Sequence, residues 1–335
     1  MISLAVKYRP KTFEDVVCQD SVKTILMNQI QTGEFKQGYL FTGSAGCGKT
    51  TSARIFANEI NKGKGKPIEI DGASNNGVDN IRNIIDDCRM KSLDSDYKIY
   101  IIDEVHMLSI GAFNALLKVL EEPPKSVIFI MCTTDPQKIP ATILSRVQRF
   151  DFKRIPTYDI RCRLISILDK EHKRYEIEAL DYIAKLANGG MRDAIMKLDT
   201  VLGYTNEVTL DITLKCLGVA SYDSMIGLIK NVFKKQRLDV IDTVEELFYD
   251  GKDLKIFIRD TVQFILDLIK FSMTSDMNST MIPDNYENTL KVIVKHITTD
   301  GLIELLQIFT DINKQLKYEQ NPLSLIESEL MLACR

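Results

Sequence analysis

The segment GSAGCGKT at residues 43–50 places glycines, a lysine and a hydroxyl group in the spacing G-x-x-x-x-G-K-[ST]. Glycines permit a tight turn whose N–H groups point at an anion, and a following helix adds its positive N-terminal end. A lysine here can reach the β- and γ-phosphates of a nucleotide, and a threonine hydroxyl can ligate Mg²⁺. The predicted ATP-binding residues of this loop are Gly43, Ser44, Ala45, Gly46, Cys47, Gly48, Lys49, Thr50 and Thr51.

Two acidic residues end the apolar run IYII at residues 99–102. Asp103 stands at the carboxyl end of a predicted strand, where it can hold Mg²⁺ directly or through water, together with Thr50. Glu104 is placed to orient and deprotonate a water that attacks the γ-phosphate, beside the catalytic cation Lys49. The alternative is that both acids are ordinary surface charges.

A pair of threonines ends the next apolar strand, in IMCTTD at residues 130–135. A hydroxyl there can hydrogen-bond the attacking water or the γ-phosphate, and we favour Thr134 over Thr133 for this catalytic role. The alternative is that these threonines only end the strand and begin the turn at Asp135.

Short apolar runs alternate with helical patterns over the first 155 residues. Continuous apolar runs such as VIFIM are typical of strands buried on both faces of a parallel sheet, so an α/β fold is predicted. The predicted strands are 39–41, 67–70, 98–102, 127–132 and 147–152. The predicted helices are 49–60, 77–91, 110–121 and 140–146.

From residue 157 onward only helices are expected, because apolar residues recur there at three- and four-residue spacing. The predicted helices are 157–173, 176–188, 191–203, 222–234, 238–249, 253–272, 287–297, 299–317 and 323–333.

Composition narrows the class of protein. The net charge of −3 excludes a chain that is basic throughout, so contact with nucleic acid would need a local patch. We expect neither a membrane helix nor a signal peptide, which makes the cytoplasm the default location. The seven cysteines lack CxxC spacing and are expected to be reduced thiols.

Several further segments carry a resemblance to one family. They are VKYRPKTFEDVVCQD (6–20), IDGASNNGVDNIR (70–82), DEVHMLSIGAFNALLKVLEEPP (103–124), TTDPQKIPATILSR (133–146) and GGMRDAI (189–195). With the phosphate loop, they resemble the bacterial clamp-loader ATPase, the γ/τ subunit of the replicative DNA polymerase, within the AAA+ class. The resemblance implies a P-loop ATPase domain at 1–155, a three-helix lid at 156–219 and a helical collar for oligomerisation at 220–335.

The resemblance also implies roles for residues outside the phosphate loop. Arg146 matches an arginine that reaches the ATP of the neighbouring subunit, and Arg192 matches a lid arginine that senses the γ-phosphate in its own site. The adenine would lie near Pro10, Val16 and Val17. The plain alternatives are a solvated arginine at 146 and a helix-start arginine at 192.

The chain departs from the family pattern in three places. A four-cysteine zinc module is usual before the second strand, whereas this chain has only NKGKGKP at 61–67, so no zinc is expected. Val147 replaces a usual cysteine, and a small apolar side chain there should leave Arg146 in place. The Pro-rich extension of the long τ form is not seen, so direct tethering of polymerase or helicase is not expected. A compact form of this kind could be bacterial or viral.

Nucleic-acid and clamp contacts follow from the same resemblance. The loop at 72–80 opens a helix with small and polar residues whose N–H groups suit phosphate binding, unless it is an ordinary capped loop. The predicted DNA-contacting residues are Ser74, Asn75, Asn76, Arg82 and Lys125. In the helix around 107–117, Ile110 or Phe113 either contacts the clamp or belongs to the core. His106 either packs at the strand end or relays DNA binding to Glu104.

The implied function is an ATP- and Mg²⁺-dependent loader, in which a ring of clamp-loader subunits, five in the family, opens a sliding clamp and places it on primer–template DNA. Two other functions remain open. One is a non-hydrolysing scaffold subunit of the same complex, and the other is an AAA+ DNA motor of the branch-migration type.

Overall fold

The computed structural model describes residues 3–88, 90, 94–217, 222–283 and 286–334. Contacts within the chain define two compact units: residues up to 167 together with 187–196, and residues 168–186 together with those from 197 onward. The division into domains at 1–155, 156–219 and 220–335 stays a prediction, and its boundary at 219/220 lies outside the described residues.

Five parallel strands form the sheet of the first unit. They are β1 (Gly38–Thr42), β2 (Ile68–Asp71), β3 (Lys98–Asp103), β4 (Val127–Thr133) and β5 (Gln148–Asp151). Their order across the sheet is β2-β3-β4-β1-β5. All five predicted strands are found, and no bound differs from its prediction by more than one residue. Because the strands are parallel, the residues that follow β1, β3 and β4 meet at one edge of the sheet.

Helices cover both faces of this sheet, which is why its strands are apolar throughout. The helices wholly within the first unit are α1 (Leu4–Lys7), α2 (Asp20–Thr32), α3 (Lys49–Ile60), α4 (Val78–Cys88), α5 (Ile110–Glu121) and α6 (Ala141–Leu144). Alternate strand residues face opposite sides: Tyr39 and Phe41 pack with α2 and α3, whereas Leu40 packs with α4 and α5. The sheet therefore carries the phosphate loop and the acidic residues on a core buried on both faces.

Two helices of the first unit escaped the sequence patterns. α1 has only four residues, too few for a periodic signal. α2 buries Val22 and Leu26 and ends at Gly33, whose φ is +71°, so a four-residue spacing and a C-terminal glycine were its available signals. The predicted helix 77–91 is described as 78–88, and residues 89 and 91 lie outside the described part of the chain.

The remaining helices are α7 (Thr157–Lys170), α8 (Ile177–Leu186), α9 (Met191–Tyr204), α10 (Leu210–Cys216), α11 (Tyr222–Phe233), α12 (Arg237–Tyr249), α13 (Leu254–Thr274), α14 (Glu287–His296), α15 (Thr299–Gln315) and α16 (Pro322–Ala333). Nine of these ten match predicted helices, and α10 was missed. In the second unit α13 packs on α15 and α12 packs on α16. Tyr182 of α8, Tyr222 of α11 and Phe264 of α13 form a buried aromatic chain with ring centroids 6.3 and 5.7 Å apart.

The expectation that strands end before residue 157 is wrong. β6 (Arg174–Tyr175) and β7 (Glu207–Val208) form a parallel two-stranded pair in the second unit. Glu176 donates its N–H to Val208 O at 2.9 Å and accepts at its own carboxylate from Leu210 N at 2.8 Å. Each strand has only two residues, too short for an alternating pattern to register.

None of the helices in the described part of the chain is both long and apolar enough to cross a membrane.

Candidate functional site

The loop at residues 43–48 joins β1 to α3 at the carboxyl edge of the sheet. Gly46 and Gly48 have φ angles of +73° and +106°, which residues with a Cβ rarely adopt. A Cβ on Gly46 would also lie 3.1 Å from Gly190 Cα, at the start of α9. The loop therefore needs glycine both for its conformation and for the close approach of the segment that carries Arg192.

Lys49 is the first residue of α3, and its side chain folds back across the loop. Its Nζ donates to Gly43 O at 2.8 Å and to Ser44 O at 2.9 Å, and the residue is only 5% exposed. The Ser44 hydroxyl is buried and has no hydrogen-bond partner among the residues that the structure describes. A buried cation next to an unpaired hydroxyl fits a loop that receives an anion with several acceptor oxygens.

Thr50 and Asp103 meet across the edge of the sheet. The Thr50 hydroxyl donates to Asp103 Oδ2 at 2.8 Å, although the two residues are 53 positions apart. A hydroxyl and a carboxylate are the hard oxygen ligands that Mg²⁺ takes from a protein when phosphates complete its shell. The predicted metal ligands are thus adjacent, and their chemistry fits that ion.

Glu104 lies immediately after β3 with φ +45° and ψ +46°, a left-handed conformation that is uncommon outside glycine. Its Oε2 accepts from the Thr134 hydroxyl at 3.0 Å and from Thr134 N at 3.3 Å. The Nδ1 of His106 lies 3.3 Å from the same oxygen. The structure therefore brings the predicted base and the favoured threonine together at the ends of β3 and β4.

The other threonine of the pair has hydrogen-bond partners other than the acid. Thr133 is fully buried, and its Oγ1 accepts from Asp135 N at 3.0 Å. The same oxygen lies 3.0 Å from His106 Nδ1. Thr133 thus contacts Glu104 only through His106, whereas Thr134 contacts it directly.

A cleft of about 280 Å³ opens beside these groups, within the first unit. Seven of the nine predicted loop residues, 45 through 51, line it together with Asp103 and Glu104. Gly43 and Ser44 lie outside the lining, but their carbonyl oxygens accept hydrogen bonds from Lys49, which lines the cleft. The lining also includes the three residues predicted near the adenine, Pro10, Val16 and Val17, with the charged Arg9 and Asp15 beside them in the sequence.

The start of α9 closes one side of the cleft. Met191 donates its N–H to Gly46 O at 3.0 Å, and Met191, Arg192 and Ile195 all line the cleft. Arg192 is itself exposed. The predicted lid arginine and the phosphate loop therefore face one cavity.

Sequence reasoning missed two long-range contacts near this cleft, Arg163–Tyr8 and Gln19–Lys153. Arg163 of α7 lines it and donates from NH2 to Tyr8 O at 3.0 Å, which ties the N-terminal segment to the helix. The Gln19 side chain donates to Lys153 O at 2.7 Å and accepts from Lys153 N at 3.0 Å. No spacing rule connects positions 155 or 134 apart, so only the assembled fold reveals these contacts.

Arg146 lies just after α6, outside the lining of the cleft. Its guanidinium donates to Thr142 O at 2.8 Å and to Glu121 Oε1 at 2.7 Å. The arginine and glutamate side chains are 34% and 52% exposed, so this ion pair lies at the surface. Val147 packs inward with the α4 and α5 side of the core, as a small apolar residue was expected to do.

In the loop predicted to contact DNA, some of the polar groups already form hydrogen bonds with one another. The Asp71 carboxylate accepts from Ala73 N at 3.0 Å and from the Ser74 hydroxyl at 2.6 Å, and Asn75 N donates to Asp71 O. The hydrogen bonds from the Ser74 hydroxyl and Ala73 N to the carboxylate hold the pKa of Asp71 below its usual value. The expectation of open N–H groups therefore fails at residues 73 and 75.

The remaining predicted DNA contacts lie on the surface of the first unit. Asn76 accepts at its carbonyl from Ser109 N at 3.1 Å. Arg82 is exposed and pairs with Asp79 at 3.1 Å, and Lys125 is exposed. Their contact with DNA stays a prediction.

The two apolar residues considered for clamp contact differ in solvent exposure. Phe113 is 3% exposed and belongs to the core between α4 and α5. Ile110, at the start of α5, is 81% exposed. Of the two, only Ile110 is available to a partner.

The cysteines in the described residues are all free thiols. Burial raises the pKa of the Cys47 thiol in the phosphate loop, and burial beside Asp159 raises the pKa of Cys18 to about 11. Within the described ranges, no group of three or more His, Cys, Asp or Glu side chains is arranged to hold a metal ion. The expectation of no zinc stays a prediction.

Three family models match successive parts of the chain. Residues 68–156 match a model described as DNA polymerase III, delta subunit. Residues 159–206 match DNA polymerase III clamp loader subunit, ATPase lid domain, and residues 208–335 match DNA polymerase III subunits gamma and tau domain III. The predicted fold, a parallel-sheet domain followed by a lid and an all-α region, is confirmed.

Curated relatives point the same way. The chain is 37% identical over 350 residues to the DNA polymerase III subunit tau of Bacillus subtilis, a match that covers 98% of this chain and 62% of the relative. It is 31% identical over 316 residues to the DNA polymerase III subunit gamma of Buchnera aphidicola, covering 87% of this chain and 85% of the relative. The chain thus spans most of that gamma subunit but less than two thirds of the B. subtilis tau subunit.

Among solved structures, the Thermotoga maritima RuvB Holliday junction branch migration motor matches with a TM-score of 0.52. The match covers 69% of this chain and 80% of that one, at 21% sequence identity. At this identity the likeness concerns the fold alone.

Proposed function

Because the chain belongs to the family of DNA polymerase III gamma and tau subunits, we propose that it binds Mg²⁺-ATP in the cleft and hydrolyses it to load a sliding clamp onto primer–template DNA. One observation carries the ATPase part of the proposal. The contacts Thr50–Asp103 and Glu104–Thr134 converge beside the buried Lys49 at a single cleft.

Each phosphate-end residue has a role that follows from its chemistry. Lys49 would leave the carbonyls of residues 43 and 44 and donate to the β- and γ-phosphates, since a phosphate oxygen is a stronger acceptor than a carbonyl. Thr50 and Asp103 would hold Mg²⁺, which supplies Lewis-acid stabilisation of the phosphate charge when it is bound. Glu104 would orient a water and take its proton, and Thr134 would orient Glu104 and the γ-phosphate.

The base end of the cleft would hold the adenine between Pro10, Val16 and Val17 on one side and the start of α9 on the other. The apolar side chains of Pro10, Val16 and Val17 suit contact with the face of a purine ring. Arg192 would approach the γ-phosphate from α9, because Met191 is bonded to the loop that cradles the phosphates.

The two arginines would then divide the work between subunits. Arg192 lines the cleft of its own chain, whereas Arg146 lies outside that lining. A guanidinium supplied by a neighbouring subunit stabilises transition-state charge and makes hydrolysis depend on assembly. We therefore assign Arg146 to the ATP site of an adjacent subunit in a ring, in which other clamp-loader subunits complete the complex.

DNA would be held by its phosphates through the loop after β2 and the surface cations Arg82 and Lys125. The sliding clamp would meet the exposed Ile110 region of α5. Such contacts do not read sequence, which suits a chain with a net charge of −3. We propose the cytoplasm as the location of this work, because the DNA would be replicated there.

The intact set of Lys49, Thr50, Asp103 and Glu104 argues against a non-hydrolysing scaffold subunit, which would not need it. The branch-migration motor has only the shared fold in its favour. By contrast, the match of residues 208–335 to the gamma and tau model argues for a clamp-loader subunit.

The deciding experiment is ATP turnover by the native complex that contains this chain. We expect turnover to rise when sliding clamp and primer–template DNA are both added, with little response to either alone. Equal stimulation by duplex DNA without clamp would favour the motor. Tight ATP binding without turnover in any mixture would favour the scaffold.

A further inference from the structure

We propose that His106 is a positioning residue that fixes the Glu104 carboxylate for water activation. The inference rests on the proposed ATPase function and assigns a partner to its base. The observations behind it are the contacts of His106, a residue that belongs neither to the phosphate-loop motif nor to the acid pair.

His106 lies in a 3₁₀ turn, residues 105–107, directly after Glu104. Its side chain is 10% exposed, so the ring is held in place by the surrounding residues. Its Nδ1 lies 3.3 Å from Glu104 Oε2 and 3.0 Å from Thr133 Oγ1. The ring thus bridges the ends of two neighbouring strands, β3 and β4.

The partners of Nδ1 determine where the proton of a neutral ring lies. An ionised carboxylate can only accept a hydrogen bond, so the contact with Glu104 requires a hydrogen on Nδ1. Thr133 Oγ1 already accepts from Asp135 N and has a second lone pair for the same Nδ1–H. We therefore assign a hydrogen to Nδ1, because only that tautomer offers a donor to both Thr133 Oγ1 and Glu104 Oε2.

This arrangement divides the two oxygens of Glu104. Oε2 accepts hydrogen bonds from Thr134 N and the Thr134 hydroxyl, and His106 Nδ1 lies 3.3 Å from it. Among the described residues, Oε1 receives no donor. Two hydrogen bonds and the adjacent ring nitrogen thus hold one oxygen, and the other is left to accept a hydrogen bond and then a proton from water.

The backbone conformation of Glu104 explains why its carboxylate needs to be held. Glu104 is in the left-handed region, where a non-glycine residue is held only if its surroundings fix it. Thr134 holds the carboxylate from β4, and His106 holds it from the turn that Glu104 itself begins. Without the ring contact, the carboxylate keeps only the donors of Thr134 and gains freedom about its side-chain torsions.

A packing role alone would also explain a nearly buried ring, so the test uses substitutions that separate the donor from the volume. His106→Asn keeps an N–H donor close to the position of Nδ1. His106→Leu fills the space without a donor. His106→Gln places its N–H one bond further out, near Nε2, and is the matched amide control.

The variants are assayed in the native complex with clamp and primer–template DNA, with kcat, KM for ATP and the thermal midpoint measured together. We expect kcat to fall about tenfold in His106→Leu and His106→Gln, because a hydrogen bond to a charged group is lost. KM should stay within about twofold, since binding of ATP does not use this contact, and His106→Asn should recover most of kcat. An unchanged kcat in His106→Leu, or equal losses in Leu and Asn, would overturn the inference.

A second measurement does not need turnover. The chain has three histidines, so ¹⁵N-histidine spectra of the full chain are simple, and His106→Asn identifies the signal. We expect a ring that carries a hydrogen on Nδ1, whose resonance moves in Glu104→Gln. A ring protonated only at Nε2 contradicts the inference. If the wild-type complex shows no turnover at all, the proposed function fails, whereas these spectra still decide the role of His106.

Discussion

The phosphate end of the cleft and the surface around Arg146 are built in opposite ways. In the cleft, Lys49 is 5% exposed, Thr50 bonds Asp103 at 2.8 Å, and Thr134 bonds Glu104 at 3.0 Å. At the surface, Arg146 pairs with Glu121, and the two side chains are 34% and 52% exposed. One set is preorganised within a single core, whereas the other is held by groups that compete with water.

The difference bears on how activity is controlled. Preorganised groups lose little freedom when substrate binds, so they serve chemistry within the chain. An exposed ion pair contributes about 0–1 kcal/mol, so a better acceptor can displace it easily. We infer that the chain carries its own base and metal ligands at all times but offers its arginine only to a neighbour.

The largest expected effect on ATP turnover comes from Arg146, the arginine at the surface. Arg146→Ala should lower ATP turnover of the assembled complex by about 10³-fold, because a trans guanidinium stabilises the phosphoryl charge. Binding of a fluorescent ATP analogue to the same chain should not change. Arg149→Ala, an exposed arginine of β5 paired with Asp151, is the matched control. Full turnover by a complex that has only the alanine variant would refute the assignment.

The cleft half is tested by Glu104→Gln. We expect turnover to fall about 10²-fold or more, because an amide of the same size cannot accept the proton. ATP affinity should persist, since Lys49 and Thr50 remain. Single-turnover hydrolysis and nucleotide binding measure the two quantities separately. Glu34→Gln, at an exposed site, controls for charge, and equal rates in both variants would exclude Glu104 as the base.

Thr134→Val should reduce turnover about tenfold, because it deletes the hydroxyl bond to Glu104 and leaves the N–H bond in place. Thr133→Val removes a fully buried acceptor of Asp135 N and should instead lower the free energy of unfolding by about 1–2 kcal/mol. Urea unfolding and single-turnover rates distinguish the two. A larger kinetic loss in Thr133→Val would reverse our choice between the threonines.

The smallest effect is expected for Glu121→Gln, which weakens the surface pair of Arg146. Because exposed pairs are weak, the partner concentration for half-maximal turnover should fall by no more than about fivefold. Titration of the chain with its partner subunits measures this, with the neighbouring Glu122→Gln as the control. A higher concentration requirement in Glu121→Gln would mean that Glu121 presents the arginine rather than restrains it.

Much of the fold was predictable because its signals are short-range. The apolar runs of β1 to β5 and the helical periodicity of α11 to α16 gave nearly the observed bounds. Three of the elements that the sequence patterns did not predict, α1, β6 and β7, are too short to show a period. α2 has 13 residues, and only Val22 and Leu26 among them are buried. The expectation of open N–H groups at residues 73 and 75 was wrong because both donate to Asp71. Ala73 N donates to its carboxylate, and Asn75 N donates to its main-chain carbonyl.

The sequence by itself determined the phosphate loop, the acid pair after β3 and the family, because these depend on residue types at fixed local spacing. Only the tertiary structure decided that Thr134 and His106 lie beside Glu104, that Arg163 donates to Tyr8 O, and that Glu121 pairs with Arg146. These contacts depend on how strand order and helix packing bring side chains together. Local sequence cannot encode them, because distance along the chain says nothing about separation across a folded sheet.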